Sequence, residues 1–128
     1  MPNWCNNQLN IAGPNIRAFY DANGGEKFSF KHSVPIDVEN NLFGNELWGT
    51  KWDVRECDVD LDDNACYYSF ETAWSPPVEW AVAASRLFPE LTFEMTYEER
   101  GCDFRGDVTL KNGIIISQTE GSYYAEAT

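Results

Sequence analysis

The chain has 128 residues, 43% of them hydrophobic and 15% aromatic, and a formal net charge of -12. That length fits a single domain over residues 1-128, and the apolar content suffices for a packed core, which excludes disorder despite the charge. The charge exceeds the magnitude of about 2 to 8 usual for a small soluble domain, so the field repels nucleic acid and anionic membrane and attracts basic surfaces.

The opening Met1-Pro-Asn-Trp-Cys-Asn-Asn7 has neither a basic segment nor an apolar core, so no secretory leader is expected. Without a leader, the four cysteines point to free thiols in a reducing cytoplasm. Asn6 to Ala12 alternates polar residues with Leu9 and Ile11 and reads as a first strand ended by Gly13-Pro14. Pro14 to Ala22 reads as a helix with Ile16, Phe19 and Tyr20 on one side, stopped at Asn23-Gly24-Gly25. Phe28 to Trp52 has no clean period and reads as an ordered insertion whose apolar residues pack on the core, with a short helix near Val38 to Phe43. Val54 to Leu61 and Ala65 to Thr72 read as a hairpin around Asp62-Asp63-Asn64. Cys57 and Cys66 sit on its two arms, and geometry decides whether they can pair.

Ser75 is expected to cap the next helix, with Pro76 and Pro77 in its first turn and Val78, Ala81, Val82, Ser85 and Phe88 at spacings of three and four. Leu91 to Glu98 sets Phe93, Met95 and Tyr97 against Glu94, Thr96 and Glu98, a strand with one wet face. Phe104 to Lys111 and Ile114 to Glu120 form a last hairpin around Lys111-Asn112-Gly113. The order up to Glu98 is β-α-β-β-α-β, an α+β arrangement with an antiparallel sheet and two helices on one face.

In Asp53-Val-Arg-Glu-Cys-Asp-Val-Asp-Leu-Asp-Asp63, Asp58, Asp60 and Asp62 share one strand face while Val59 and Leu61 share the other. The expected register gathers Asp58, Asp60, Asp62, Glu71, Glu94 and Glu98 on the open face of the sheet, with Glu56 and Asp63 beside the row. Those eight carboxylates are the candidate partner-binding residues. The spacing Asp58-x-Asp60-x-Asp62 does not continue as a calcium loop, because the positions needing Gly and Glu are Asp63 and Ser69. The cysteines lack a C-x2-C pair, so structural zinc is not expected. His32, the only histidine, lies in no catalytic motif. Trp48-Gly-Thr-Lys-Trp-Asp53 is open to two readings: a stacking platform with Lys51 for a phosphate, or two rings covering the core.

Met1-Pro-Asn-Trp-Cys-Asn-Asn7, Trp48-Gly-Thr-Lys-Trp-Asp53, Phe70-Glu-Thr-Ala-Trp-Ser-Pro-Pro77 and Phe104-Arg-Gly106, in this order, resemble the YubB-type ferredoxin-like domain family of phages and plasmids. The resemblance implies a ferredoxin-like fold, here with an inserted loop region and a C-terminal β-hairpin, and a mobile-element origin. It implies no activity and no catalytic residues. The expected function is therefore that of a non-enzymatic inhibitor with no cofactor. Its carboxylates would occupy the basic surface of a host nucleic-acid-binding defence protein by nucleic-acid mimicry, in the manner of an anti-CRISPR or anti-restriction protein. It would not itself bind nucleic acid or membrane. The alternative is a nucleic-acid-binding accessory protein of phage or plasmid replication or transfer that uses the tryptophans and lysines.

Overall fold

A computed structural model describes residues 3–37, 39 and 44–123. Six strands form one antiparallel sheet: β1 (Trp4–Ala12), β2 (Arg55–Leu61), β3 (Ala65–Ala73), β4 (Thr92–Glu99), β5 (Phe104–Lys111) and β6 (Ile114–Gly121). Their spatial order is β2-β3-β1-β4-β5-β6. The first four strands have the order of a ferredoxin-like sheet, and the last hairpin extends it at the β4 side. This is the expected α+β fold, with β1 at the centre and hydrogen-bonded on both sides.

Alternation fixes which face each strand turns inward. In β1, Cys5, Asn7, Leu9 and Ile11 are buried, and in β4, Phe93, Met95, Tyr97 and Glu99 are buried. Two helices, α1 (Ile16–Ala22) and α3 (Val78–Leu87), cover that inner face with Phe19, Trp80, Ala81 and Ala84. The insertion completes the layer. Its 3-10 turn Phe30–His32 and short helix α2 (Gly44–Leu47) bring Phe28, Phe30 and Trp48 into the core as expected, whereas Ile36 of the same insertion stays exposed. The Trp80 ring packs 5.1 Å from Phe30 and 5.3 Å from Phe28, and Phe30 packs 5.6 Å from Trp48. The short helix expected near Val38 to Phe43 falls on residues of which only Glu39 is described, as a turn.

Several expected details differ. Ser75 does not cap α3: its hydroxyl donates to the Gly49 carbonyl at 2.5 Å, and the helix begins only at Val78 with Pro77 in the capping position. The first helix begins at Ile16, after an Asn15 in left-handed backbone, and not at Pro14. Cys66 lies opposite Leu61 and not opposite Cys57, and all four thiols are free. The last hairpin turns where expected. Asn112 and Gly113 both have positive φ, 51° and 74°, the backbone that a two-residue turn between right-twisted strands requires.

Candidate functional site

The face of the sheet away from the helices is polar. Its middle is a row of amides from β1: Asn6, Gln8 and Asn10, the even positions left outward by the burial of the odd ones. Gln8 donates to the Ser69 hydroxyl at 3.0 Å, while the Asn10 side-chain oxygen is buried without a hydrogen-bond partner among the described residues. Carboxylates flank this ridge on both sides. Asp58 and Asp60 on β2 pair in register with Ser69 and Tyr67 of β3, and both are exposed. Glu94 and Glu98 on β4 pair with Asn10 and Asn6 of β1, and both are exposed. β2 and β4 are three inter-strand steps apart, so the two acidic rows run about 14 Å from each other, with about 7 Å between neighbours in a row.

From β1 across the Glu94 and Glu98 row to β5, the surface dips. A depression of about 540 Å³ is lined by Asn6, Gln8, Thr96, Glu98, Arg105 and Asp107 among others. A second, of about 360 Å³, is lined by Asn10, Tyr67, Glu94 and Thr109 and shares Gln8, Thr96 and Asp107 with the first. The shared residues make them one trough along β1, β4 and β5. Asp107 lines both depressions and accepts a hydrogen bond from the Thr119 hydroxyl at 2.9 Å.

The other expected carboxylates are placed differently. Asp62 is not in the row. The strand ends at Leu61; the Asp62 backbone N–H donates to the Ala65 carbonyl to close the hairpin, and its carboxylate accepts from the Asp63 N–H. Both residues are exposed at the hairpin tip. Glu56 sits in a bulge with φ 50°, where the pairing shifts between Arg55 and Asp58. Glu71 faces outward but is half-buried. Its Oε1 has no hydrogen-bond partner among the described residues, and the Arg55 Nε lies 3.7 Å away. Burial, then the hydrogen bond and charge of Glu56, holds the Glu71 carboxyl above the usual carboxylate range, against the pull of Arg55.

The opposite end of the sheet from the hairpin tip is aromatic. Trp4 and Trp52 lie 6.0 Å apart. Arg55 stands 4.2 Å over the Trp4 ring and Lys51 stands 5.1 Å over Trp52. Trp74, at the end of β3, is also exposed and has a φ of 72°. The two tryptophans of the insertion are thus split. Trp48 is 2% exposed and donates its indole N–H to the Val34 carbonyl, whereas Trp52 is 46% exposed. Sequence reasoning passed over Trp4, Arg55 and the amide row; only the period-two polarity of β1 signalled the last of these.

Thiol chemistry is disfavoured. Burial pushes Cys5 and Cys57 up to about 12 and raises Cys66 as well, and the Glu99 carboxylate raises Cys102, so each thiol stays protonated at neutral pH. No described helix is long and apolar enough to cross a membrane.

Residues 48–128 match the model of a family described as the ferredoxin-like domain in Api92-like protein. A crystal structure of the protein api92 from Yersinia pseudotuberculosis superposes with a TM-score of 0.54 over 66% of this chain and 30% of that one, at 22% sequence identity. That likeness is one of fold, and the chain spans under a third of the length of that protein. No curated protein matches.

Proposed function

This chain belongs to the family of ferredoxin-like domains in Api92-like proteins, and we propose that it acts as a non-enzymatic docking protein whose open face binds the basic, nucleic-acid-holding surface of another protein. The observation that carries this reading is the pair of carboxylate rows, Asp58 and Asp60 against Glu94 and Glu98, held on one rigid sheet. Their separation of about 14 Å is close to the width of about 12 Å of the DNA major groove. A surface that binds nucleic acid carries Lys and Arg with displaceable counterions, and a preorganised anionic face releases those ions without ordering a flexible chain. Asp62, Asp63, Glu56 and Glu71 add charge at the β2 edge without belonging to a row. The likeness of the Trp48 to Asp53 and Phe70 to Pro77 segments to YubB-type domains supplies the setting for this proposal. In a phage or plasmid protein at work in the host cytoplasm, such mimicry would block a host defence protein of the CRISPR or restriction kind.

The alternative, direct binding of nucleic acid, has its best footing in the Trp4–Trp52 end. There the cations already lie over the rings, so a base would have to displace Arg55 or Lys51 before stacking. The test is capture from a host lysate with the immobilised protein, followed by elution with duplex DNA. DNA should release the captured partner, and Asp58→Asn with Asp60→Asn should weaken capture. A mobility shift of a generic oligonucleotide by the protein alone would sink the mimicry reading in favour of its alternative.

A further inference from the structure

The sheet's two outer strands are finished differently. β2 carries Asp58 and Asp60 on its exposed face, and charge is one of the means by which proteins stop a free edge from pairing. β6 has no charge from Ile114 through Thr119, yet all eight of its residues are exposed and no described strand lies beyond it. Ile114, Ile115 and Ile116 are 63%, 41% and 61% exposed, and Leu87 at the end of α3 is 58% exposed. Ile115 is the partner of Leu110 and so shares the helix-side face with Leu87, while the irregularity in the ladder leaves Ile116 without a partner on β5.

We propose that β6 is a homodimer interface, in which the β6 strands of two copies pair antiparallel about a two-fold axis and join their sheets. What selects a second copy is the charge at the two ends of the strand. The Ile114 end is cationic. Lys111 is the partner of Ile114, and Arg86 packs against the turn at Gly113, whose N–H donates to the neighbouring Ser85 hydroxyl at 2.9 Å. Arg86 has no ion pair among the described residues. At the Gly121 end two carboxylates, Glu120, which accepts from the Tyr97 hydroxyl, and Asp103, which accepts from the Ser122 hydroxyl, outnumber Arg105, the partner of Gly121, so that end is anionic. Full antiparallel overlap of the strand, about 27 Å long, sets the Ile114 end of one copy beside the Gly121 end of the other. Two-fold symmetry then places Arg86 and Lys111 against the other copy's Glu120 twice. Most of the remaining surface is acidic and repels a second copy, so the uncharged edge with oppositely charged ends is where self-association meets least resistance. This inference stands apart from the role of the open face, which the pairing leaves clear.

The test is sedimentation equilibrium from about 1 to 100 μM, a range that spans the dissociation constants of modest specific contacts. The protein should approach the mass of a dimer. Ile115→Lys with Ile116→Lys should give a monomer with an unchanged circular dichroism spectrum. Arg86→Glu alone and Glu120→Arg alone should each weaken the dimer, and the double exchange should restore it. A wild-type monomer throughout the range, a lysine variant that stays dimeric, open assemblies larger than a dimer, or failure of the double exchange to restore association would each overturn the proposal.

Discussion

The β2 side and the β6 side of this sheet are covered very unequally. On the helix face of β2 and β3 lie α1 and the insertion, whose Phe28, Phe30 and Trp48 pack with Tyr68, Phe70 and Trp80, while α3 lies over β4 and β5. There Cys57, Val59 and Leu61 are half-buried even though β2 is an outer strand. β6 has only the end of α3 beside it, and every residue is exposed. Simple dimensions account for the difference. Two helices about 10 Å across cover roughly 20 Å, or about four strands at 4.8 Å spacing. This sheet has six. The insertion extends the cover toward β2 and nothing extends it toward β6. An outer strand is therefore core or surface according to which loop reaches it, and not according to its own hydrophobicity.

The largest test of that contrast is the removal of one apolar side chain from each side. Trp48→Ala takes away a buried ring and its bond to Val34, and should cost about 3 to 5 kcal/mol in denaturant unfolding. Ile115→Ala, measured at a protein concentration low enough to keep the chain monomeric, should stay within about 0.5 kcal/mol. Trp52→Ala belongs with the second group, because half of that ring is in water. Equal losses for Trp48 and Ile115 in the monomer would show that the chain itself covers the β6 side.

A change at the β5–β6 side of the sheet should be next in size. A side chain at Gly106 would run into the Thr119 carbonyl of β6 and, at 2.7 Å, the Tyr97 hydroxyl. Gly106→Val should therefore cost about 1 to 3 kcal/mol through overpacking. Hydrogen exchange should quicken in β5 and β6 while the β1–β3 ladder keeps its protection. Uniform loss of protection across the sheet would mean that β6 is as integral as β2.

Smaller still is the effect of the acidic row on stability. Asp58→Asn with Asp60→Asn should change it by no more than about 0.5 kcal/mol each, with a gain favoured by relief of repulsion. The consequence belongs in binding. Association with a basic partner should slow and its salt dependence should flatten, as kinetics at two ionic strengths would reveal. An unchanged rate and salt slope would remove β2 from the binding face.

How legible this was in the sequence depended on period. Strands with strict alternation gave both their existence and their facing, so that Glu94, Thr96 and Glu98 came out wet and Phe93, Met95 and Tyr97 came out dry. The Asn112-Gly113 turn was legible because its backbone suits few other residues. Alternation misled at Asp62, where the pattern runs one step past the strand and the turn claims the residue. It could not separate Trp48 from Trp52, since irregular backbone imposes no facing. Ser75 had the chemistry of a helix cap, but a carbonyl from the insertion took its hydroxyl. The meeting of Trp4 with Arg55 depends on the strand order, which the alternation of a single strand does not encode.

The smallest expected effect concerns Glu71, where the two carboxylate environments of the open face differ. Glu94 is exposed, whereas Glu71 is half-buried beside Glu56, with its pKa raised chiefly by burial. A carboxyl whose folded pKa lies above its unfolded value binds its proton more tightly in the fold. Its contribution to stability is then fully present below the unfolded value of about 4.3, and is lost as pH rises through the folded value. At neutral pH an ionised Glu71 is thus a cost that Arg55, at 3.7 Å, only partly offsets. Glu71→Gln removes that cost, while Arg55 keeps Glu56 at 3.6 Å. The variant should melt higher than the wild type at pH 7, and its advantage should shrink toward pH 4, where the wild-type carboxyl is protonated. Glu94→Gln serves as the control for general relief of negative charge and should show a smaller gain at pH 7. If Glu71→Gln gains no more than Glu94→Gln at pH 7, or gains more at pH 4 than at pH 7, then Glu71 is solvated like its neighbours. The β2 edge would then present another free carboxylate to a partner, in place of one engaged within its own bulge.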